Sequence, residues 1–273
     1  MANIGKKRYS IDELRAFKLA YGRSIQREDY VINIILPAAL VGIMTHLLLH
    51  YLFLTIIMTI LGGVYGYMVL FPANIKRFYD RRSFEQRNKF INTMTQLQMA
   101  SNVSVFMALN DLIDLTEGDF KEQLIKLTAQ LADSSEANYH EAFQEFSLHY
   151  EKDVIFGQYV DILETIMVEG SENVESLKKT TSFHNDIKNF QKRFIDNKNR
   201  TLRFAKTGHL LIMAAVLACH FKIEPITFEN YVTYFSHHPI GWFVYVLYLV
   251  GTMMTMTNFM KIYFDDDVLE VEL

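Results

Sequence analysis

The chain has 273 residues, of which 50% are hydrophobic and 21% are charged, and its formal net charge is −4. This composition excludes a disordered or collagen-like chain, and the negative net charge gives no general attraction to nucleic acid. The single cysteine excludes an internal disulfide framework and any zinc site built from several thiolates.

The N-terminal half begins with a basic segment and continues with a long apolar run. Residues 1–29 are expected to be helical and cytoplasmic, and about thirty polar residues before the first apolar run argue against a cleavable signal peptide. Residues 30–75 contain no Asp, Glu, Lys or Arg. Since about 20 helical residues cross a hydrocarbon core about 30 Å thick, this run predicts two transmembrane helices within residues 30–72, joined by a tight external turn around His50. The alternative is a buried hairpin of a soluble protein.

Three glycines give the second predicted span a face of small residues. Gly62 and Gly66 are four residues apart, and Gly63 lies beside them. Such a face permits close helix approach in lipid, so we expect tight packing and self-association here. The absence of charged residues from spans one, two and four argues against an ion pump, a proton relay or a transporter of charged substrates.

Residues 73–201 are expected to form a cytoplasmic bundle of six antiparallel helices. They contain no proline and only three glycines, and apolar residues recur in them with helical spacing. A capping box is predicted at Asp119 and Glu122, and a helix break at Glu169 and Gly170. The sixth helix is expected to continue unbroken into the third span. The predicted core stripes are Phe90, Met94 and Leu97; Val105, Ala108, Leu109 and Leu112; Phe120, Leu124, Leu127 and Leu131; Tyr139, Phe143, Phe146 and Tyr150; residues 154–168; and Phe183, Ile187, Phe190 and Phe194.

Residues 202–262 are expected to supply two more spans with a short external loop between them. The charge-free run 230–260 is long enough for one span, and the run 207–221 spans only if Arg203 and Lys206 reach the headgroups. The remaining residues, 263–273, form an acidic tail. Basic residues flank the predicted membrane on one side, so both termini and the bundle are expected in the cytoplasm of a multi-pass plasma-membrane protein. These bases could also hold anionic lipid headgroups; among them are Arg77, Arg81, Arg82, Lys198, Arg200 and Arg203.

No motif of catalysis or of cofactor binding is present. The chain lacks a P-loop, a Rossmann glycine pattern, a nucleophile-elbow serine and a zincin motif, so we expect no enzyme activity, cofactor or metal. Cys219 and His220 are adjacent and point about 100 degrees apart on a helix, which argues against a catalytic pair. A haem or metal site on the external side is an alternative; its histidines would be His46, His50, His220, His237 and His238.

Short motifs and the order of elements resemble a known family over residues 85–262. Around Ser104, followed by Ala108 and Leu109, the chain is similar to the "G-x-S" turn and "A-L" helix of the Tad-type membrane platform proteins, which carry the type II secretion system F domain. Asn102 stands where that family has glycine. The segment Glu141, Ala142 and Phe143 is similar to its middle helix. Glu169 and Gly170, followed by Leu177, are similar to its later "G-G-x-x-x-x-L" turn, with Glu169 replacing the first glycine.

The resemblance implies a non-enzymatic platform at the base of a Tad or type IV pilus or a type II secretion machine. Its implied partners are a hexameric secretion ATPase, pilin or pseudopilin subunits, membrane lipids, and a second copy or a paralogue. Two other classes stay open. One is a membrane-tethered helical scaffold or signalling protein, and the other is the haem or metal protein.

Overall fold

The computed structural model describes residues 9–100, 103–133, 138–170, 174–222 and 228–264. Every regular element within these ranges is helical, as the sequence predicts. The acidic tail from Asp265, Asn102, and the side chains of Cys219 and His220 lie outside the described residues. The helices are α1 (Ile11–Leu19), α2 (Arg27–Tyr30), α3 (Leu36–Leu49), α4 (Leu52–Tyr65), α5 (Phe71–Ala100), α6 (Val105–Ile113), α7 (Gly118–Asp133), α8 (Tyr139–Leu148), α9 (Val154–Glu169), α10 (Val174–Lys222), α11 (Phe228–Tyr231) and α12 (Pro239–Phe264).

The chain forms two compact units. The first, which we call the hairpin unit, contains Ile25–Arg77 and the described part of residues 195–266. The second, which we call the bundle unit, contains Arg15–Ser24 and the described part of residues 78–194. Each unit is described separately below.

Two long apolar helical stretches begin in the hairpin unit, and the second continues along the chain into the bundle unit. The first runs from Arg27 to Leu49 and includes a π-helical turn at Val31–Ile35; the second begins at Leu52 and continues to Ala100. Both are long and apolar enough to cross a membrane. The predicted turn is confirmed, because α3 ends at His50, whose φ of 46° is left-handed and whose N–H donates to the His46 carbonyl at 2.9 Å.

Aromatic rings fill the centre of the bundle unit. The ring of Phe90 lies 5.3–6.3 Å, centroid to centroid, from the rings of Phe120, Phe146, Phe156 and Tyr159. All four pairs meet edge to face, the arrangement that aromatic quadrupoles favour. The core is built from α5 to α9 and Leu177 of α10, and the buried apolar positions on α6, α7 and α9 follow the predicted stripes.

The sixth predicted core stripe is wrong. Phe183 and Phe190 are 55% and 60% exposed, whereas Leu177, Thr181 and His184 on another face of α10 are buried. The residues of α5 that face α10 are polar, and buried polar groups need hydrogen-bond partners. The polar face of α10 supplies these partners, so its apolar face stays outside the core.

The capping box predicted at Asp119 is replaced by a different contact. Helix α7 begins at Gly118, so Asp119 lies inside the first turn. Its carboxylate accepts from the Tyr79 hydroxyl at 3.1 Å and contacts His149 Nε2 at 3.1 Å. Asp119 therefore ties α7 to α5 and to the end of α8.

Candidate functional site

The predicted small-residue face lies between the two apolar helices of one chain. A Cβ added to Gly66 would collide with the carbonyl oxygen of Asn33, and one added to Gly62 would lie 3.1 Å from Val41 Cβ. Gly63 is looser, since its Cβ would be 3.5 Å from Ala38 Cβ. Gly62 and Gly66 therefore pack against the other helix of the hairpin, and self-association through them stays a prediction.

Polar side chains in the hairpin bond to their own helix and to neighbouring helices. The hydroxyls of Thr45, Thr55 and Thr59 each donate to the backbone carbonyl four residues earlier, at 2.7–2.9 Å. Buried Asn33 donates to the Asp29 carbonyl at 2.7 Å and accepts from the Asn74 side chain. Such internal bonding is what an apolar surrounding requires, because no water is present to replace it.

Aromatic and polar residues join the hairpin turn to the start of α12. The Tyr51 ring stacks on Trp242 with centroids 5.6 Å apart, and Trp242 Nε1 donates to the Ser236 carbonyl at 2.8 Å. The hydroxyls of Thr45 and Tyr245 are 2.7 Å apart. The loop that holds Tyr51 is therefore packed in place by residues of α12 and of the turn before it.

The histidines predicted on the external side do not converge on a metal site in the described part of the chain. The rings of His46 and His50 are 5.9 Å apart, and the His237 ring packs against Tyr51 at 5.5 Å. His238 Nδ1 accepts from the Ile240 N–H at 3.3 Å. Among the described residues no group of three or more His, Cys, Asp or Glu could hold a metal ion. These histidines therefore give the haem or metal alternative no support.

The basic residues predicted to flank the membrane lie on two helices. On α5, Arg81 and Arg82 contact the same carboxylate, that of Glu85, at 3.3 and 3.2 Å. Such partly exposed pairs within one helix contribute at most about 1 kcal/mol. The six residues differ in exposure, since Arg77 and Arg82 are half-buried, Lys198 is buried, and Arg81, Arg200 and Arg203 are exposed.

The positions that carry the family resemblance end helices or fill the core. Ser104 caps α6, because its hydroxyl accepts from the Met107 N–H at 3.3 Å. Gly170 ends α9 with φ 99°, a conformation that favours glycine. Glu169 is the last residue of α9. Three further positions, Ala108, Leu109 and Leu177, are fully buried in the bundle core.

Sequence reasoning missed a buried polar network in the bundle unit. At its centre Arg87 Nε lies 2.8 Å from Asp153 Oδ2, and both side chains are about nine-tenths buried, at 12% and 8% exposure. Arg87 also donates to Ser83 Oγ at 2.7 Å, and its guanidinium lies 5.0 Å from the centroid of the Tyr150 ring. The second oxygen of Asp153 accepts from the Phe156 N–H at 3.1 Å and caps α9.

His184 of α10 completes this network, and its neighbours fix its tautomer. Lys188 Nζ lies 2.6 Å from Asn88 Oδ1, which must accept because an ammonium group only donates. The Asn88 amide nitrogen then donates to His184 Nδ1 at 2.9 Å. Nδ1 is therefore the acceptor, and the proton of the neutral ring lies on Nε2, 3.4 Å from Asp153 Oδ2.

Charge and burial act in opposite directions on Asp153. Burial alone raises the pKa of its carboxyl group, but the hydrogen bond with His184 and the positive charge of Arg87 outweigh burial and lower that pKa to about 2. Asp153 is thus a carboxylate at neutral pH. Because His184 is fully buried and Asp153 nearly so, the network is closed to a substrate and holds α5, α9 and α10 together.

A second set of polar bonds joins the same three helices. The Thr95 hydroxyl on α5 lies 2.8 Å from the Tyr159 hydroxyl on α9 and 2.7 Å from the Thr181 hydroxyl on α10. The side-chain amides of Asn92 and Asn185 form two hydrogen bonds with each other, of 2.8 and 3.0 Å. Asn88 and Asn92 are four residues apart on α5, so helical spacing of amides was the signal in the sequence that could have located this interface.

These features define an all-α protein with two helices long and apolar enough to cross a membrane and with a compact helical bundle. Over 267 residues the chain is 34% identical to pXO2-23, an uncharacterized protein of Bacillus anthracis, and the match covers 98% of this chain and 95% of that protein. The chain belongs to the same family as that protein. No family model matches the chain, and no solved structure matches it.

Proposed function

We propose that this protein is a non-enzymatic platform protein of the plasma membrane in a pilus-assembly or type II secretion-like machine. It couples a cytoplasmic secretion ATPase to the assembly of pilin or pseudopilin subunits, either as a homo-oligomer or together with a paralogue. The family resemblance of residues 85–262 motivates this proposal, and the buried network, which is closed to substrates, agrees with a role other than catalysis.

The observation that carries the proposal is the continuity of α10. This helix has 49 residues, from Val174 to Lys222. Its first part is fixed in the bundle by Leu177, Thr181 and His184, and its last part contains the apolar run 207–221. An unbroken helix about 73 Å long transmits a tilt or rotation from one end to the other.

In the proposed topology four helices cross the membrane. The two apolar stretches of the hairpin unit supply the first two spans, the end of α10 supplies the third, and α12 supplies the fourth. Helix α12 has 26 residues, which correspond to about 39 Å and exceed a hydrocarbon core of about 30 Å. The basic flanks favour a cytoplasmic location for both termini and the bundle.

Reporter fusions test the topology. A reporter joined after Glu117 is expected in the cytoplasm, and one joined after Glu229 is expected outside. Both reporters on the same side of the membrane would contradict the four-span arrangement.

A proline in α10 tests the coupling. Asn197 is exposed on α10, and Asn197→Pro should kink the helix without touching the bundle core, whereas Asn197→Ala is the matched control. Both variants should enter the membrane and be recovered with the secretion ATPase after crosslinking in cells. Only the proline variant should lose pilin assembly. Assembly at the normal rate with Asn197→Pro would refute transmission through α10.

A further inference from the structure

An aromatic stripe, formed by Phe183, Ile187 and Phe190, runs along the face of α10 outside the bundle core. Phe183 and Phe190 are 55% and 60% exposed, and Ile187 between them is half-buried. The two phenylalanines are seven residues apart, about 10 Å along the helix. Single exposed apolar residues are ordinary, but aromatic residues that line up on one face mark a contact surface.

Charged residues lie at the edge of the aromatic stripe. The Arg193 guanidinium stacks on Phe190, 4.7 Å from the ring centroid. Lys179, one turn before Phe183, is 77% exposed, and its contact with Glu175 at 3.4 Å lies in solvent. Asp186 is exposed on the same edge. The edge of the stripe therefore carries an exposed cation near each end, Arg193 and Lys179, with the acids Glu175 and Asp186 beside them.

Neither a lipid surface nor a second copy fits the aromatic stripe. If the third span begins near Leu202, Phe190 and Phe183 lie about 18 and about 28 Å from the hydrocarbon along α10, beyond a headgroup layer of about 5–8 Å. Two copies in one membrane have parallel α10 helices. Their contact would place Arg193 against Arg193 and Lys179 against Lys179, an arrangement that like charges oppose.

We propose that the acidic segment 265–273 of this chain docks on the aromatic stripe. Its sequence has the complementary composition, because apolar residues alternate with acids and no base is present. In an extended conformation Leu269, Val271 and Leu273 would share one side over about 13 Å, which suits the 10 Å stripe. Acidic residues lie in both halves of the segment: Asp265, Asp266, Asp267, Glu270 and Glu272.

The segment follows the described part of α12 directly. Helix α12 is described as far as Phe264, and the nine residues after it extend at most about 30 Å. This inference rests on the proposed topology, in which the segment and the bundle share the cytoplasm. Any partner that used the same stripe would have to displace the segment.

Disulfide crosslinking of the full-length chain tests the docking. In a Cys219→Ser background, Asp186→Cys is combined with Glu270→Cys, and Ala129→Cys, at an exposed position of α7, replaces Asp186→Cys in the matched control. Oxidation should crosslink the first pair within one chain and leave the control pair open. Phe183→Ser with Phe190→Ser should reduce the yield to that of the control.

Charge reversal gives a second readout. Arg193→Glu should lower the crosslink yield by about fivefold, the factor for one exposed ion pair, and lysines in place of Asp265, Asp266 and Asp267 should restore it. Yields no higher than the Ala129 control, or crosslinks only between chains, would overturn the docking.

Maleimide labelling of the same cysteines in sealed vesicles separates the two possible failures. If the cysteines introduced at Asp186 and Glu270 react from opposite sides of the membrane, the proposed topology and the docking both fail. If they react from the same side but do not crosslink, the docking alone fails.

Discussion

The hairpin unit and the bundle unit hold their helices together by opposite means. In the hairpin, Gly66 allows such a close approach that a Cβ there would collide with backbone, and a Cβ at Gly62 would be tightly packed. In the bundle, large rings such as Phe90 and Phe156 fill the space between helices. In the proposed membrane topology, apolar burial gains little between the hairpin helices, so close contact matters there, whereas in water the burial of aromatic rings is a main source of stability.

Polar groups show a weaker contrast. Threonine hydroxyls of the hairpin bond to carbonyls of their own helix, and the Thr45 hydroxyl also contacts Tyr245 of α12. In the bundle, Arg87, Asp153 and His184 bond across three helices. A smaller side chain is therefore expected to harm the bundle and a larger one the hairpin, and the stability of the bundle is expected to depend on the buried charge of Asp153.

The largest expected effect comes from a smaller side chain in the bundle. Phe156 is fully buried against Phe90, Phe120 and Phe146, so Phe156→Ala should lower the free energy of unfolding by about 4 kcal/mol. Hydrogen exchange of α9 in the full-length protein measures this loss. Leu148→Ala, at a position 59% exposed, is the control and should change stability by less than about 0.5 kcal/mol.

A larger side chain in the hairpin should have the next largest effect. Gly66→Ala forces its Cβ against the Asn33 carbonyl and should cost about 2–3 kcal/mol, while Gly63→Ala meets only ordinary contact and should be nearly neutral. Fluorescence of Trp242, the single tryptophan, follows unfolding of this unit in detergent. Equal losses of stability in Gly66→Ala and Gly63→Ala would contradict the proposed contrast between the two units.

The buried charge predicts a pH dependence confined to the bundle. The pKa of Asp153 is lowered from 3.8 to about 2 in the folded unit, so its carboxylate stabilises the fold fully above pH 4. This stabilisation, about 2 kcal/mol, is lost as the pH falls from about 4 to about 2. Hydrogen exchange of α9 at pH 6 and at pH 2.5 measures it. In Asp153→Asn this part of the pH dependence should be absent; its persistence would assign the effect to another group.

The smallest effect concerns the cap of α6. Ser104→Ala removes the bond to the Met107 N–H and should cost about 1 kcal/mol, whereas Ser104→Asp should keep the cap. Unfolding by denaturant, followed by circular dichroism, distinguishes the two variants. Equal stability of the alanine and aspartate variants would show that this cap contributes nothing.

Sequence reasoning located the helices well and one of their buried faces poorly. The turn at His50 and the end of α9 at Gly170 follow from local signals, because a break between apolar runs and a glycine have short-range causes. The aromatic stripe was assigned to the core because its spacing is helical and its residues are apolar. Spacing identifies a face of a helix, but it does not say which neighbour meets that face.

The amino-acid sequence predicts that the chain is helical, where apolar runs are long enough to cross a membrane, and which glycines permit close packing. These properties depend on residues a few positions apart. The tertiary structure shows that Gly62 and Gly66 pack within the hairpin and that Asp153 contacts both Arg87 and His184. Arg87 and His184 are 97 positions apart on different helices, and their shared contact with Asp153 depends on how α5, α9 and α10 pack, which local spacing does not encode.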